Sequence, residues 1–334
     1  MPHLVTFLLS LLLSFILTPV FRTISRRLSF VDLPEERKFH SKATPLLGGI
    51  AVFLAWQLSV LVGLVMLDGR IDGNALAIFG GALVVIVVGL IDDRRGMSPL
   101  VKLGGQAAAA AILLLGGGVG RVAGHEVVNF LISLIWAVGL MNALNFLDNM
   151  DGISGGVSFL AGLFFFLLST VSGEGLPAVL AAGLCGATLG FLRYNFSPAS
   201  IFLGDAGSLF LGYCLCALSL GAIPNEMSGL KLFVPVLVLG YPVFDITFVT
   251  VIRLLEGRKI YQGGKDHSSH RMVTVLGSVP KGCLVIYSMS VVLGLTGFIV
   301  YNTAFTMPFV ARGLFAATGV LMVLLGLVLS RVKQ

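Results

Sequence analysis

The stretch from Met141 to Gly156 carries polar side chains at a spacing that could support chemistry. Two amides and two carboxylates follow one another at every third position there: Asn142, Asn145, Asp148 and Asp151. Residues three apart lie on neighbouring turns of one helical face, and most of the remaining stretch is apolar. Ionisable groups at the edge of an apolar helix are costly, so they indicate a functional site. A helix end that frays into water is the alternative interpretation.

Three further carboxylates occur beside apolar runs. Asp92 and Asp93 end one run, and Asp205 lies just before Gly207 near the start of another. Carboxylates crowded together need a compensating cation, and Mg²⁺ prefers one or two carboxylates with waters and phosphate oxygens, as in phosphoryl transfer. Adjacent helical residues point about 100° apart, so one of the paired aspartates is expected to face the metal and the other to handle a proton or a lysine. A solvated acidic helix end and a simple helix cap are the alternatives.

A basic segment near residue 270 could bind phosphate. His267 and His270 precede Arg271, whose guanidinium suits bidentate contacts to phosphate oxygens. The H-x-x-H-R pattern is equally compatible with a solvated basic loop, and a zinc site is disfavoured because no cysteine lies nearby. Lys42 and Lys102 are further candidate anion contacts.

The composition places these residues in a membrane protein. Of 334 residues, 57% are hydrophobic and 11% are charged, whereas about a quarter of the residues of a soluble domain are charged. We therefore predict an all-α integral membrane protein in which residues 1–334 form a single transmembrane catalytic domain. The four cysteines lie in or beside apolar runs, which favours burial over disulfide bonding. The net charge of +6 suits anionic lipid head groups, and no nucleic acid partner is expected.

The apolar runs predict a polytopic bundle of about eleven transmembrane helices, because about 20 apolar residues cross the hydrocarbon core. The predicted spans are 4–21, 47–67, 73–91, 101–119, 127–147, 153–172, 176–194, 201–223, 230–254, 283–301 and 312–330. The first has no basic segment before it and no small-residue cleavage site, so an uncleaved span is predicted. The run 230–254 contains Pro235 and Pro242, so a kink or tilt is expected. Asp245 in that run either lines the same cleft as the other acids or pairs with a base.

The distribution of lysine and arginine predicts the orientation. The loops after odd-numbered spans, the inner end of the seventh span and the C-terminus carry 18 of the 22 basic residues. That side is expected to be cytoplasmic, with the N-terminus outside and the C-terminus inside. Cytoplasmic loops are expected at about 22–46, 92–101, 148–153, 194–200 and 255–282. Every polar cluster falls at this one face, whereas a transporter would carry its key charges near the bilayer midplane.

The polar segments together resemble the motifs of one enzyme family. GLIDDRRGMSPLVKLGGQ, NALNFLDNMDGISGG, NFSPASIFLGDAGSLFLGY and DHSSHR occur in this order, with RKFHSKATPLLGG upstream. They look like the polyprenyl-phosphate N-acetylhexosamine-1-phosphate transferases, in the branch that uses N-acetylglucosamine. The resemblance implies undecaprenyl phosphate as acceptor, a UDP-N-acetyl sugar as donor, Mg²⁺ or Mn²⁺ as cofactor, and UMP as a product. It also implies a bacterial inner-membrane protein with a cytoplasmic active site.

The resemblance also implies roles for individual residues. Catalytic roles fall to Asp92, Asp93 and Lys102, with one of the two aspartates as base or nucleophile. Metal binding falls to Asp205, Asn145 and Asp148. The implied substrate-binding residues are Lys42, Asn142, Asn145, Asp148, Asp151, Asn195, His267, His270 and Arg271. The chain departs from the family at Ser269, where relatives often read H-x-H-H-R, and any role that needs the middle histidine stays open.

Two functions of other classes stay open. A cation-coupled carrier also needs intramembrane acids and would show uptake without product formation. An inactive relative that only binds polyprenyl phosphate would bind ligand without releasing UMP, and the departure at Ser269 is compatible with it. CDP-alcohol phosphotransferases are disfavoured because their D-G-x-x-A-R signature is absent. The sequence leaves open which N-acetyl sugar is used, which polymer is built and whether two copies form a homodimer.

Overall fold

The structure is a computed structural model that describes residues 1–33, 43–68, 71–222, 229–260 and 264–332. The described residues are mostly helical, with one short pair of strands. They form two compact units, Met1–Glu226 and Met227–Gln334, which are described separately. The prediction of a polytopic all-α membrane protein is confirmed, and the prediction of a single catalytic domain stays a prediction.

The described residues of the first unit form eight α-helices. They are α1 (Pro2–Arg27), α2 (Gly48–Asp68), α3 (Gly73–Arg95), α4 (Pro99–Leu115), α5 (Glu126–Leu147), α6 (Ile153–Ser172), α7 (Gly175–Asn195) and α8 (Gly204–Gly221). Between α1 and α2, the strands β1 (Val31–Asp32) and β2 (Thr44–Pro45) pair antiparallel. Helix α1 continues to Arg27, so the predicted loop from residue 22 begins later than expected.

Helix α8 is largely buried in the first unit and packs against α2, α3 and α5. Trp56 of α2 and Phe210 of α8 are buried and meet edge to face, with ring centroids 5.4 Å apart. Gly89 lets α3 approach α8 closely, because a Cβ at this position would lie 2.3 Å from the Cα of Ala206. This close contact brings the acidic end of α3 against the beginning of α8.

In the second unit, the part of the chain that the structure describes forms a 3₁₀ helix and five α-helices. They are the 3₁₀ helix Gly229–Phe233, α9 (Val234–Val238), α10 (Gly240–Leu255), α11 (Ser268–Leu276), α12 (Val279–Thr303) and α13 (Pro308–Ser330). Helix α12 packs against α9, α10, α11 and α13. Helix α11 lies inside the predicted loop 255–282, where the apolar-run criterion did not detect it because this helix is short and begins with polar residues.

Nine helices of the described residues are long and apolar enough to cross a membrane, and they match nine of the eleven predicted spans. The predicted span 101–119 is α4, which ends at Leu115 after 17 residues and is about 25 Å long at 1.5 Å per residue. The predicted span 230–254 is broken at Leu239, where the segments Gly229–Val238 and Gly240–Leu255 bend by 79°. The count of eleven and the orientation of the termini stay predictions.

Candidate active site

Lys102 of α4 lies at the centre of a charged network in the first unit. Its ammonium nitrogen is 2.8 Å from Oδ2 of Asp92 and 2.5 Å from Oδ2 of Asp205. The same nitrogen donates to Oδ1 of Asn145 at 3.0 Å. The amide nitrogen of Asn145 in turn donates to Oδ1 of Asp205 at 2.8 Å and to Ser208 Oγ at 2.9 Å. Helices α3, α4, α5 and α8 thus each contribute to one connected set, which we call the Lys102 network.

Asp93 has different partners from its neighbour Asp92. Its Oδ1 and Oδ2 accept the backbone N–H groups of Asp205 and Ala206 at 2.8 and 3.1 Å. Leu203, at the N-cap position of α8, provides no side-chain cap, so Asp93 of α3 caps α8 from outside the helix. A carboxylate is favoured there by the helix dipole. The two aspartates therefore diverge, as the helical offset predicts.

Gly204 makes this cap sterically feasible. Its φ is +70°, and a Cβ there would lie 2.6 Å from Oδ2 of Asp93 and 2.9 Å from the carbonyl oxygen of Leu46. A residue with a side chain would be strained in this backbone conformation and would displace the carboxylate. The glycine before Asp205 in the sequence is thus explained by the approach of Asp93.

The predicted polar stripe between Asn142 and Asp151 is helical only in its first half. Helix α5 ends at Leu147, Asp148 is its C-cap residue, and Asp151 lies in the turn before α6. The prediction that all four residues share one helical face is therefore wrong for Asp148 and Asp151. The reason is the turn itself, in which Gly152 adopts φ +79° and lets the chain start a new helix in another direction.

Asn142 is paired with a residue that the sequence analysis missed. Its Nδ2 donates to Oε1 of Gln106 at 2.7 Å and to the carbonyl oxygen of Val138 at 2.8 Å. Gln106 is buried and lies four residues after Lys102, one turn further along the same face of α4. That spacing, in a helix that is otherwise rich in alanine and glycine, is the signal that could have identified it.

Asp151 and Asn195 contact backbone groups. Oδ2 of Asp151 accepts the N–H of Ala199 at 2.9 Å. The buried side chain of Asn195 accepts the N–H of Gly152 at 3.1 Å and donates to the carbonyl oxygen of Ile201 at 3.0 Å. These bonds tie the turn before α6 to the connection between α7 and α8. Their substrate-binding roles stay predictions.

Asp148 lies near the other carboxylates. Burial raises its pKa well above the usual value, and the charges of Asp205, Asp93 and Asp151 raise it further. No group of three His, Cys, Asp or Glu side chains in the described ranges has the arrangement of a metal site. Mg²⁺, however, needs only one or two carboxylates when waters and phosphate oxygens complete its shell. The hard oxygen donors and the repulsion at Asp148 fit such a cation, and its binding stays a prediction.

The predicted histidines lie in the second unit. Nδ1 of His267 is 2.8 Å from Oδ2 of Asp245, and the rings of His267 and His270 are 5.9 Å apart. Burial and then the neighbouring His267 lower the pKa of His270 to about 4, so His270 is neutral at pH 7. Both histidines are buried. Lys42, the remaining candidate anion contact, lies outside the described residues.

Arg271 contacts the C-terminal end of α13. Its Nη1 donates to the carbonyl oxygens of Leu329, Ser330 and Val332 at 3.0, 3.2 and 2.8 Å. The last carbonyls of a helix lack intrahelical partners, and a cation there also complements the helix dipole. The side chain is buried. Its predicted contact with substrate stays a prediction, and the structure assigns this guanidinium a structural partner.

Helices long enough to span a membrane define a polytopic membrane protein, and its first unit carries a lysine–carboxylate network at helix ends. A sequence-family model described as glycosyl transferase family 4 matches residues 75–223, the segment that contains the Lys102 network. The chain is 32% identical over 307 residues to a probable undecaprenyl-phosphate N-acetylglucosaminyl 1-phosphate transferase of Bacillus subtilis, covering 88% of this chain and 84% of that protein.

Two other relatives share most of the chain. A decaprenyl-phosphate N-acetylglucosaminephosphotransferase of Mycobacterium tuberculosis is 31% identical, over 83% of this chain and 77% of that protein. A phospho-N-acetylmuramoyl-pentapeptide-transferase of Staphylococcus aureus is 26% identical, over 87% of this chain and 96% of that protein. The chain therefore belongs to glycosyl transferase family 4. It is a sugar-phosphate transferase, and so a phosphotransferase.

Proposed function

We propose that this protein transfers N-acetylglucosamine 1-phosphate from UDP-N-acetylglucosamine to undecaprenyl phosphate. The products are undecaprenyl-diphosphate-N-acetylglucosamine and UMP, and the reaction takes place at the cytoplasmic face of the bacterial inner membrane. The observation that carries the proposal is the Lys102 network, in which an ammonium group joins carboxylates from two helices within the segment matched by the family. The two relatives named for N-acetylglucosamine phosphate transfer, at 32% and 31% identity, support this donor.

The reaction transfers the sugar-bearing phosphoryl group from UMP to the acceptor phosphate. An oxygen of the acceptor phosphate forms a bond to the β-phosphorus of the donor, the bond from that phosphorus to the bridging oxygen breaks, and its electron pair leaves with UMP. Catalysis of such a transfer is mostly positioning and stabilisation of charge. Lys102 carries the positive charge that would stabilise the oxygen on which negative charge develops.

Of the two adjacent aspartates, Asp92 is the better candidate to orient the acceptor or to take its proton. Its Oδ2 belongs to the Lys102 network, and its Oδ1 accepts the N–H of Met97 at 2.6 Å. Both oxygens of Asp93 instead accept N–H groups of α8. Asp93 therefore acts through the position of Asp205.

Asp205 and Asp148 are the carboxylates that would hold Mg²⁺, with Asn145 beside them. When bound, Mg²⁺ supplies positive charge to phosphate oxygens. Removing divalent cations with a chelator should therefore abolish turnover, and adding Mg²⁺ or Mn²⁺ should restore it. Turnover that persists in excess chelator would remove the cation from the proposal.

The experiment is to supply the purified protein with undecaprenyl phosphate, Mg²⁺ and a panel of donors, and to measure UMP release. The panel contains UDP-N-acetylglucosamine, UDP-N-acetylgalactosamine and the UDP-N-acetylmuramoyl pentapeptide. UMP release should be fastest with UDP-N-acetylglucosamine. Asp205→Asn should abolish release, and Asp72→Asn, which changes an exposed aspartate that caps the other end of α3, should retain it. No release with any of these donors would refute the proposed function.

The proposed face can be tested in membrane vesicles, because UDP-sugars do not cross a bilayer. Inside-out vesicles should release UMP from added donor, and sealed right-side-out vesicles should do so only after permeabilisation. The opposite pattern would place the active site on the outer face and would also overturn the predicted orientation.

A further inference from the structure

A second pair of polar side chains joins α4 to α5, one turn away from Lys102. Gln106 of α4 is buried, and its Oε1 accepts a hydrogen bond from Nδ2 of Asn142 at 2.7 Å. Nε2 of Gln106 in turn donates to Oδ1 of Asn142 at 3.4 Å. The other N–H of the Asn142 amide donates to the carbonyl oxygen of Val138 at 2.8 Å. The two side chains are therefore engaged with each other across the two helices.

The carbonyl oxygen of Val138 determines which way the two amides face. A backbone carbonyl oxygen only accepts hydrogen bonds, so the nitrogen of the Asn142 amide must face it. With Nδ2 placed there, its second N–H is donated to Gln106, whose Oε1 must be the facing atom. Both N–H groups of Asn142 then have acceptors within the protein. A contact from this amide nitrogen to a substrate would require one of these bonds to break.

The Gln106–Asn142 pair lies in line with a contact of the Lys102 network. Gln106 lies four residues after Lys102 on α4, and Asn142 lies three residues before Asn145 on α5, so each helix presents both of its residues on one face. The ammonium group of Lys102 donates to Asn145 at 3.0 Å. The two contacts between α4 and α5 are thus about one helical turn, or roughly 5.4 Å, apart. Contacts at two heights fix both the rotation of α4 and its position along its axis.

The composition of α4 makes these contacts important for its register. Lys102 and Gln106 are its only polar side chains, and the other residues of the segment 104–111 are glycine or alanine. Such small side chains interlock little with neighbouring helices, whereas polar side chains that pair across helices specify their register. The ammonium nitrogen of Lys102 contacts Asp92 of α3 and Asp205 of α8 at once. A displacement of α4 would lengthen at least one of these contacts.

We propose that Gln106 and Asn142 are positioning residues, which hold α4 in register with α5 so that the ammonium group of Lys102 stays in contact with both Asp92 and Asp205. Asn142 contacts Gln106 and not the substrate. The kinetic tests of this proposal rest on the proposed function, because they measure the release of UMP. A test by unfolding does not.

Steady-state kinetics separates positioning from substrate binding. Gln106→Ala and Asn142→Ala should each lower kcat about tenfold, while KM for UDP-N-acetylglucosamine and for undecaprenyl phosphate changes less than about twofold. Ser219→Ala is the matched control, because it removes a bond of 2.8 Å between Trp136 of α5 and α8 and should leave kcat unchanged. If Asn142→Ala raises KM about tenfold and Gln106→Ala does not, Asn142 contacts the substrate and the proposal is overturned.

Exchange of the two residues tests the pair directly. Gln106→Asn shortens one side chain by a methylene group, and Asn142→Gln lengthens the other by the same amount. Each single variant should lower kcat, whereas the double variant should recover to within about threefold of the native value, because the two amides can pair again. A double variant that is no faster than the faster single variant would overturn the proposal.

Unfolding in a titration with sodium dodecyl sulfate tests the coupling to Lys102 without turnover. If Gln106 holds the ammonium group in place, Lys102→Met should lower the midpoint less in a Gln106→Ala background than in the native protein. In a Ser219→Ala background the loss should be the same as in the native protein. Equal losses in all three backgrounds would overturn the proposal.

The design separates the two ways of failing and allows for a variant that does not fold. If no donor yields UMP, the proposed function fails, while the midpoints still show whether Gln106 positions Lys102. If Gln106→Ala gives no folded protein, Gln106→Asn replaces it in both measurements, since it keeps an amide at this position. The same unchanged KM and the same reduced loss from Lys102→Met are then expected, and equal losses would again overturn the proposal.

Discussion

Replacement of Asp93 tests whether this residue stabilises α8. Its carboxylate accepts the N–H groups of Asp205 and Ala206 at 2.8 and 3.1 Å, and Leu203 supplies no cap of its own. Asp93→Ala removes both bonds and leaves two N–H groups at the start of the helix without their acceptor. Because the N–H of Asp205, the second residue of α8, is held by the same carboxylate, the position of Asp205 should loosen when that carboxylate is removed.

The magnitude follows from the number and kind of bonds. A hydrogen bond to a charged group contributes about 1.5–3 kcal/mol net. Asp93 is half-buried, and its removal also relieves repulsion with Asp148 and Asp205, so the lower end of the range applies. Asp93→Ala should therefore lower the free energy of unfolding by about 3 kcal/mol. Asp93→Asn should lower it by about half as much, because an amide oxygen still accepts a hydrogen bond.

The assay is a titration with sodium dodecyl sulfate in mixed micelles, followed by the fluorescence of the two tryptophans. Asp72→Ala is the matched control, since Asp72 is an exposed cap with a single bond of 2.8 Å to the N–H of Ala75 and should cost about 1 kcal/mol. If Asp93→Ala destabilises no more than this control, the assignment of Asp93 as the cap of α8 is refuted.

Three further predictions concern residues of both units. Lys102→Met should slow UMP release about 10²–10³-fold, and a rate near that of the native protein would remove Lys102 from the site. Arg271→Gln should lower the free energy of unfolding by about 2 kcal/mol without changing KM for the donor, whereas a tenfold rise in KM would support the predicted substrate contact. His270 has a pKa of about 4 in the folded chain, so folding should lose stability as the pH falls from about 6.5 to 4, where only the unfolded chain binds the proton. In an acid titration, the His270→Gln variant should lose less unfolding free energy over that interval than the native protein. Equal losses in the two proteins would contradict the lowered pKa.

The helices were predictable where an apolar run has the length of a span. Residues 153–172 were predicted as a span and form α6, Ile153–Ser172, because a chain in hydrocarbon must satisfy its backbone internally. The length of an apolar run does not predict a span correctly where the helix is interrupted within the run. Pro242 lies three residues after Leu239, where the segment bends by 79°, and the direction of that bend depends on packing that periodicity does not contain. Helix α11 was not predicted because it is short and its first turn is polar.

The sequence predicts which residues lie in the candidate site better than it predicts the contacts between them. Asp92, Lys102, Asn145 and Asp205 were expected at one membrane face because they lie at successive ends of spans, and the structure joins them in one network. Which atom contacts which depends on helix rotation and on close approaches such as that at Gly89. No pattern in the sequence gives those rotations.

The motif residues divide into two kinds that sequence similarity does not separate. In the Lys102 network, side chains meet one another across helices. Asp93, Asp151, Asn195 and Arg271 instead bind backbone groups at helix ends and turns. Polar residues recur at such positions because helix termini near a membrane interface leave N–H and C=O groups that need partners.

It follows that loss of activity alone does not identify a catalytic residue in this fold. Under the proposed function, substituting Asp93 is expected to impair turnover by displacing Asp205, and substituting Asp92 by removing a side chain of the Lys102 network. Variants at Asp92 and Asp93 are expected to differ in their free energy of unfolding. A variant at Asp92 loses the bond from the N–H of Met97 and the ion pair with Lys102, but Lys102 keeps Asp205 and Asn145 as partners. We therefore expect it to lose turnover with a smaller change in unfolding free energy than a variant at Asp93, which leaves two N–H groups of α8 without their acceptor. Activity must therefore be measured together with the free energy of unfolding before a role is assigned to either residue.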